Sequence, residues 1–142
     1  MANYYATARS NYFAVRDEKA FSEWTALLGL TILEPSQPNQ TADGVRRYAI
    51  TPGDTGDGDG WPTSRYDEDT DELEDIDVSD QLSTHLADDE VAILMESGSE
   101  KLRYITAIAT AVNNKGDTVR LSLESIYEAA QVLGPNITRA EY

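Results

Sequence analysis

The chain lacks cysteine and has one histidine among its 142 residues. The lack of cysteine excludes disulfide bonds, thiolate metal sites and cysteine nucleophiles, and it suits a reducing compartment. No apolar run approaches the roughly 20 residues that a membrane-spanning helix needs, and the N-terminus has no signal-peptide pattern. We therefore expect a cytoplasmic protein that does not bind membranes.

Basic residues are scarce, since 11 Lys and Arg face 26 Asp and Glu, for a net charge of −15. The stretch GDTGDGDGWPTSRYDEDTDELEDID, residues 53–77, holds eleven carboxylates and one cation, Arg65. It contributes −10 of the −15, so two-thirds of the imbalance is local. Such a field repels nucleic acids and attracts basic proteins over about 8 Å. The composition disfavours direct nucleic-acid binding.

Hydropathy patterns predict a single α+β domain over residues 1–142 with a mainly antiparallel sheet. The predicted order is β-α-β-β, an acidic loop at 53–77, and then α-β-β-β-α, with about three helices on one face. The predicted strands are YYATARSNYFAV, LTILE, VRRYAI, VAILM, LRYITAIATAV and TVRLSL. The turn NNKGD joins the last two strands into a hairpin.

Three segments have helical periodicity. Asp17 is the predicted N-cap of EKAFSEWTALLG, with Gly29 as its stop, and LESIYEAAQVLG is expected to end the domain. Between them lies DVSDQLSTHLADDE, which Asp77 or Ser79 can cap. The helical positions expected to face the core are Phe21, Trp24, Leu28, Val78, Leu82, Leu86, Ile126, Ala130 and Leu133.

The segment DTGDGDG invites comparison with an EF-hand calcium loop. With Gly60 at the sixth position, Asp57 and Asp59 are correctly placed. Thr55 then occupies the first position and Tyr66 the twelfth, where a bidentate Glu is required. The sequence therefore predicts no metal site, and no motif predicts a cofactor.

No catalytic motif accompanies the single histidine, His85, near the end of the second predicted helix. Catalytic carboxylates are few and lie in apolar pockets, whereas these crowd in a polar stretch. We therefore predict a protein that is not an enzyme. A metal-assisted hydrolase would require carboxylates from different elements to converge.

Two groups of aromatic residues have alternative interpretations. On the first strand, Tyr4, Tyr5, Tyr12 and Phe13 form either a stacking platform for bases or, as we prefer, part of the sheet packing. Trp61 either docks the acidic stretch to the body or presents an aromatic anchor to a partner.

The acidic stretch itself is the predicted partner-binding surface. In an extended chain, carboxylates two residues apart lie on one side, as for Asp67, Asp69 and Asp71. The predicted partner-binding residues are Asp67, Glu68, Asp69, Asp71, Glu72, Glu74, Asp75, Asp77 and Trp61. An extended segment of this length is too sparse to imitate duplex DNA. It would need help from Asp54, Asp57, Asp59, Asp88, Asp89 and Glu90.

In size, acidity and lack of catalytic residues, the chain resembles the small inhibitors that phages and plasmids direct against restriction or CRISPR systems. Several of those are acidic nucleic-acid mimics. EVAILMESGSEKLRYITAIATAVNNKGD, about a fifth of the chain, also resembles a segment of bacterial proteins associated with mobile elements.

These observations favour a non-enzymatic protein that occupies a basic site, such as a nucleic-acid-binding site, on a partner macromolecule. An immunity protein against a basic nuclease toxin is an alternative that uses the same physics. A housekeeping domain of a haloadapted organism, with a solvated acidic loop, is another. The sequence leaves the oligomeric state open.

Overall fold

The computed structural model describes residues 4–35, 43–52, 57–58 and 60–141. The helices there are α1 (Glu18–Leu28), α2 (Val78–Ser83) and α3 (Ser125–Ala129), and a 3-10 turn (Ala130–Val132) follows α3. The strands are β1 (Tyr5–Ser10), β2 (Leu30–Leu33), β3 (Ala49–Pro52), β4 (Asp57–Gly58), β5 (Ser64–Asp67), β6 (Glu72–Asp75), β7 (Ala92–Glu100), β8 (Tyr104–Val112) and β9 (Thr118–Ser122). The predicted α+β class is confirmed.

The main sheet is antiparallel and has the order β4-β1-β7-β8-β9. The predicted hairpin of β8 and β9 is confirmed, and its turn has Gly116 at φ 84°. Strand β7 is longer than predicted, because ESGSE continues it to a second tight turn at residues 101–103. Strands β2 and β3 form a second antiparallel hairpin, in which β3 begins at Ala49, inside the predicted segment VRRYAI.

One face of the main sheet is buried. Along β1 the side chains alternate, so that Ala6, Ala8 and Ser10 are buried while the residues between them are exposed. The core takes side chains from α1, α2, β2, β3 and β7, and its largest fully buried members include Phe13, Phe21, Leu82 and Leu86. We call this buried side of the sheet the inner face.

The first two helices begin and pack as their sequences predict. Asp17 accepts a hydrogen bond from the Ala20 amide at 3.1 Å, and Gly29 ends α1 at φ 71°. Asp77 accepts one from the Asp80 amide at 3.2 Å, which caps α2. The predicted core residues Phe21, Trp24, Val78, Leu82 and Leu86 are buried, and Leu28 is partly buried against them.

The third helix does not pack as predicted. It spans five residues and buries none of them. The expectation that Ile126 and Leu133 face the core is wrong, since 58% and 89% of these residues are exposed. A helical pattern sets which residues share a face, but it does not show whether the domain covers that face.

Candidate partner-binding surface

The second half of the acidic stretch is a β-hairpin rather than a loop. Strands β5 and β6 form a separate two-stranded sheet, in which Asp67 lies opposite Glu72 and Arg65 opposite Glu74. The chain reverses through residues 68–71, with Asp71 at φ 56°, a conformation that Asp tolerates better than most residues. We call residues 64–75 the acidic hairpin.

The two faces of the acidic hairpin differ. Opposite residues in an antiparallel pair lie on the same face, so one face carries the carboxylates of Asp67, Glu72 and Glu74. Arg65 shares that face and lies 3.5 Å from Glu74. Asp67 and Glu72 meet as like charges, which destabilises such a pair by roughly 0.2–1 kcal/mol. The hairpin therefore contains repulsion that a bound cationic group would relieve.

The opposite face of the acidic hairpin carries an exposed apolar pair. Tyr66 lies directly opposite Leu73, and 53% and 70% of these residues are exposed. The Tyr66 hydroxyl donates a hydrogen bond to Asp71 in the turn. An exposed aromatic residue among carboxylates can contribute apolar contact to a charged interface.

The predicted partner-binding carboxylates are only partly arranged as expected. The prediction that Asp67, Asp69 and Asp71 share one side of an extended chain is wrong, because the chain turns after Asp67. Glu72 and Glu74 do share a face on β6. The remaining hairpin carboxylates are Glu68 in the turn and Asp75 at the end of β6.

Asp77 has a structural role in addition. Its carboxylate caps α2 and accepts a 2.7 Å hydrogen bond from the Ser79 hydroxyl, which lowers its pKa. Sequence reasoning named Asp77 for both the cap and the acidic surface. The geometry makes the cap its defined contact.

Trp61 docks the acidic stretch to the body, which is the first of its two predicted alternatives. Its side chain packs against the core, and its indole Nε1 donates to the Met95 carbonyl at 3.2 Å. Its backbone amide donates to Glu96 Oε1 at 2.8 Å. The hairpin therefore begins three residues after a fixed point.

Glu96 organises this fixed point, and sequence reasoning missed it. Besides the Trp61 amide, its carboxylate accepts a 2.9 Å hydrogen bond from the Tyr4 hydroxyl. Gly60 has φ 88°, and a Cβ atom there would lie 2.0 Å from Glu96 Oε1. The left-handed backbone and this contact together favour glycine at this position. The only sequence signal was a Gly-Trp pair within a polar stretch.

A cleft of about 350 Å³ lies beside the root of the hairpin. Its lining includes Trp61 and Ile76 together with the charged residues Asp77, Glu96 and Arg120. Arg120 Nε donates to the Thr110 hydroxyl at 3.4 Å. The cleft therefore contains both signs of charge.

The other carboxylates that were predicted to extend the acidic surface lie outside the acidic hairpin. Asp54 and Asp59 lie outside the described residues, and the structure describes only the backbone of Asp57. Glu90 is held by Arg47, with 2.9 Å between Oε1 and Nε, and this contact lowers the pKa of Glu90. Asp88 accepts a 2.7 Å hydrogen bond from Asn114. Glu90 is thus paired within the body, away from any role as a free charge.

Three other candidates for chemistry were His85, a metal site and the aromatic residues of the first strand. His85 packs 5.1 Å from the Trp24 ring, and burial lowers its pKa. In the described ranges, no cluster of three or more His, Asp or Glu residues could hold a metal ion. The EF-hand comparison depends partly on Thr55 and Asp59, which lie outside those ranges. Phe13 is buried and Tyr4 contacts Glu96, so the four aromatic residues of the first strand do not form one exposed platform.

In comparisons with protein-family models, curated proteins and solved structures, no match to the chain was found. Among the described residues, no helix has the length and apolar character to cross a lipid bilayer.

Proposed function

We propose that this protein is a cytoplasmic, non-enzymatic binding protein whose acidic hairpin occupies a basic, nucleic-acid-binding site on a partner macromolecule. An inhibitor of a nucleic-acid-handling defence enzyme, of the kind that phages and plasmids encode, fits this description. The partner supplies Arg and Lys side chains that would otherwise contact phosphates.

The charge density of the folded hairpin carries the proposal. Residues 64–75 hold seven carboxylates and one arginine. Because the chain folds back on itself, four-residue strands confine these charges to a length of roughly 14 Å plus the turn. Three of the seven carboxylates lie in the turn, so with about 5 Å for the turn the hairpin has roughly one carboxylate per 2.7 Å, compared with one charge per ~1.7 Å of duplex DNA. An extended chain would have less than half this density.

The exposure of the hairpin also supports the proposal. Its two strands form a separate sheet, and Glu72 and Glu74 are exposed while Asp67 is half-buried, so these carboxylates are accessible to a partner. The like-charge contact between Asp67 and Glu72 favours binding of a guanidinium or ammonium group between them. Steering by this field would speed association at low salt.

The test begins with a pull-down from host lysate at low and high salt, followed by affinity measurements with the recovered partner. The variant carries Asp67→Asn, Glu72→Gln and Glu74→Gln. A matched control removes three exposed carboxylates elsewhere, through Glu23→Gln, Glu34→Gln and Glu128→Gln. Each set changes the net charge from −15 to −12, since three carboxylates are lost.

The hairpin variant should bind at least about tenfold more weakly, mainly through slower association, whereas the control should stay within about threefold of the parent. DNA or heparin should compete with the protein for the partner. Equal losses of affinity in the two variants would show that the net charge of the protein, and not the hairpin, determines binding. An unchanged affinity in the hairpin variant, with an intact circular dichroism spectrum, would refute the proposal.

A further inference from the structure

The face of the main sheet opposite the core is apolar along β8 and β9, mixed along β1 and β7, and carries no carboxylate on these four strands. Register fixes its members, because Met95 lies opposite Arg9 on one side and Ala109 on the other, and Ala109 lies opposite Leu121. These four share the side of the sheet opposite the inner face. We call this surface the outer face. Its outward positions are Tyr5, Thr7, Arg9, Ile93, Met95, Ser97, Ser99, Ile105, Ala107, Ala109, Ala111, Val119 and Leu121.

The outer face is too apolar for a sheet surface that meets water alone. An antiparallel sheet with one solvated face normally carries polar residues on that face, whereas the outward positions of β8 are Ile105, Ala107, Ala109 and Ala111. Residues Met95, Ile105 and Leu121 are exposed by 54%, 60% and 68%. A groove of about 480 Å³ runs over Met95, Ala107, Ala109 and Leu121. Contiguous apolar surface of this kind marks an interaction site.

The C-terminal segment, residues 123–141, has the complementary character. It folds on itself, since the Arg139 guanidinium lies 4.4 Å from the Tyr127 ring centroid and the Ala140 amide donates to the Tyr127 hydroxyl at 2.8 Å. Its apolar side chains remain uncovered, and Val132 and Leu133 are each 89% exposed. A locally ordered segment that exposes its apolar residues lacks the surface against which they would pack.

The segment and the groove are neighbours. Leu123 lines the groove, and its amide donates to the Ala107 carbonyl at 3.0 Å, after which the chain leaves the edge of the sheet. A two-fold axis beside β9 would therefore carry each C-terminal segment across to the partner's outer face. Such an isologous contact closes after two copies.

The distribution of charge restricts where a second copy of this chain can approach. Two molecules of net charge −15 repel each other over most of their surface. Strands β1, β7, β8 and β9 place no carboxylate on the outer face and β1 places Arg9 there, whereas Asp57 of β4 lies opposite Thr7 at its edge, so these four strands offer like-charged copies an approach without direct repulsion. In the segment, the carboxylate of Glu124 is already paired with Arg139.

We infer that the protein is a homodimer in which the C-terminal segment of each copy covers the outer face of the other. This inference goes beyond the proposed function, because it concerns a different surface. The contacts join Val132 and Leu133 of one copy to the groove around Met95, Ala109 and Leu121 of its partner.

The first test is the mass of the full chain in solution by light scattering. The parent should have twice the chain mass of 15.7 kDa. Leu121→Glu on the outer face should give a monomer, as should Val132→Glu combined with Leu133→Glu in the segment. The control is Leu27→Glu on α1, a residue that is 56% exposed and lies on neither surface, and it should stay dimeric. Circular dichroism must show that each variant is folded.

A monomeric parent, or a dimer that survives Leu121→Glu, would overturn the interface. A dimer that resists the double change in the segment would overturn the segment as occupant and leave direct packing of two sheets.

Cross-linking tests the occupant directly, because the chain has no cysteine of its own. Ala109→Cys and Leu133→Cys are prepared as separate proteins, mixed, and treated with a short bismaleimide. Neither protein can cross-link within one chain, so a mixed covalent dimer requires the segment of one copy on the face of another. Failure to form this product from a dimeric mixture would contradict the proposed exchange.

Salt distinguishes the dimer from the proposed function. Screening reduces repulsion between like-charged copies, so dimerisation should strengthen between 50 mM and 500 mM salt, whereas binding of a basic partner should weaken. The hairpin variant should remain dimeric and the Leu121→Glu variant should still bind the partner. Failure of one proposal would thus leave the other measurable. A dimer that dissociates as salt is added would contradict the role assigned to the apolar face.

Discussion

Replacing Glu96 by alanine should release the root of the acidic hairpin, because this carboxylate fixes the segment before it. It accepts hydrogen bonds from the Trp61 amide at 2.8 Å and the Tyr4 hydroxyl at 2.9 Å. Hydrogen bonds to a charged acceptor contribute roughly 1.5–3 kcal/mol each, and partial exposure favours the lower end. We expect Glu96→Ala to lower the free energy of unfolding by about 3 kcal/mol.

Two measurements check this expectation. Urea unfolding followed by circular dichroism gives the loss of stability. Acrylamide quenching of fluorescence reports the release of the hairpin root, because the chain has two tryptophans and Trp24 is buried. Quenching should rise in Glu96→Ala as Trp61 leaves its contacts, even at low urea concentration where the body remains folded.

The matched control is Glu96→Gln, which keeps an oxygen acceptor for the Trp61 amide but removes the charge. It should lose about half as much stability as Glu96→Ala, because hydrogen bonds to neutral acceptors are weaker. If Glu96→Ala stays within about 0.5 kcal/mol of the parent and leaves quenching unchanged, the carboxylate does not hold the hairpin.

Three further predictions concern the body of the protein and are checked by urea unfolding. Leu82→Ala, at a fully buried position, should cost about 2–5 kcal/mol, and a smaller loss would mean that the core collapses around the change. Asp77→Ala should lower the free energy of unfolding by about 1 kcal/mol, and Asp77→Asn should lower it much less, because asparagine also caps helices. Equal losses in the two variants would show that Asp77 does not stabilise α2 as a cap. Arg47 holds the pKa of Glu90 below its ordinary value of 4.5, so the stabilisation is present above that pH and is lost as pH falls through the lower, folded pKa. Between pH 6 and pH 3 the parent should therefore lose more stability than Arg47→Met, and parallel curves would contradict the pairing.

The sequence could predict the helices of the core and the hairpins because their signals are local. Asp17 and Gly29 mark the ends of α1 through backbone chemistry that acts within a few residues. The apolar spacing of Val78 and Leu82 likewise fixes the buried face of α2. Such elements need no knowledge of distant parts of the chain.

The acidic hairpin could not be predicted in this way. Its strands have carboxylates where β-propensity scales favour apolar and β-branched residues, so charge repulsion alone indicated an extended loop. The alternation is visible only around Tyr66 and Leu73, which lie opposite each other. Its fixed root depends on Glu96, which is far away in the sequence and has no local signal of its own.

The third helix shows a different limit. Its apolar spacing at Ile126, Ala130 and Leu133 is real, but within the described part of the chain Ile126 and Leu133 stay exposed. The apolar residues at every outward position of β8 are a signal of the same kind, since a solvated face would carry polar residues. Read together, these two patterns indicate surfaces that are completed by another molecule.

The positions of the two proposed surfaces determine what a dimer would do. Glu96 lies on the inner face, opposite Ala8, and it holds the root of the acidic hairpin there. The outer face is therefore free to pair while the hairpins of both copies remain open to partners. Two hairpins in one assembly would bind a partner with two basic sites more tightly than one, because the second contact becomes intramolecular. A partner with a single site would gain nothing from dimerisation. Comparing the affinity of the Leu121→Glu monomer with that of the parent therefore reveals how many basic sites the partner presents.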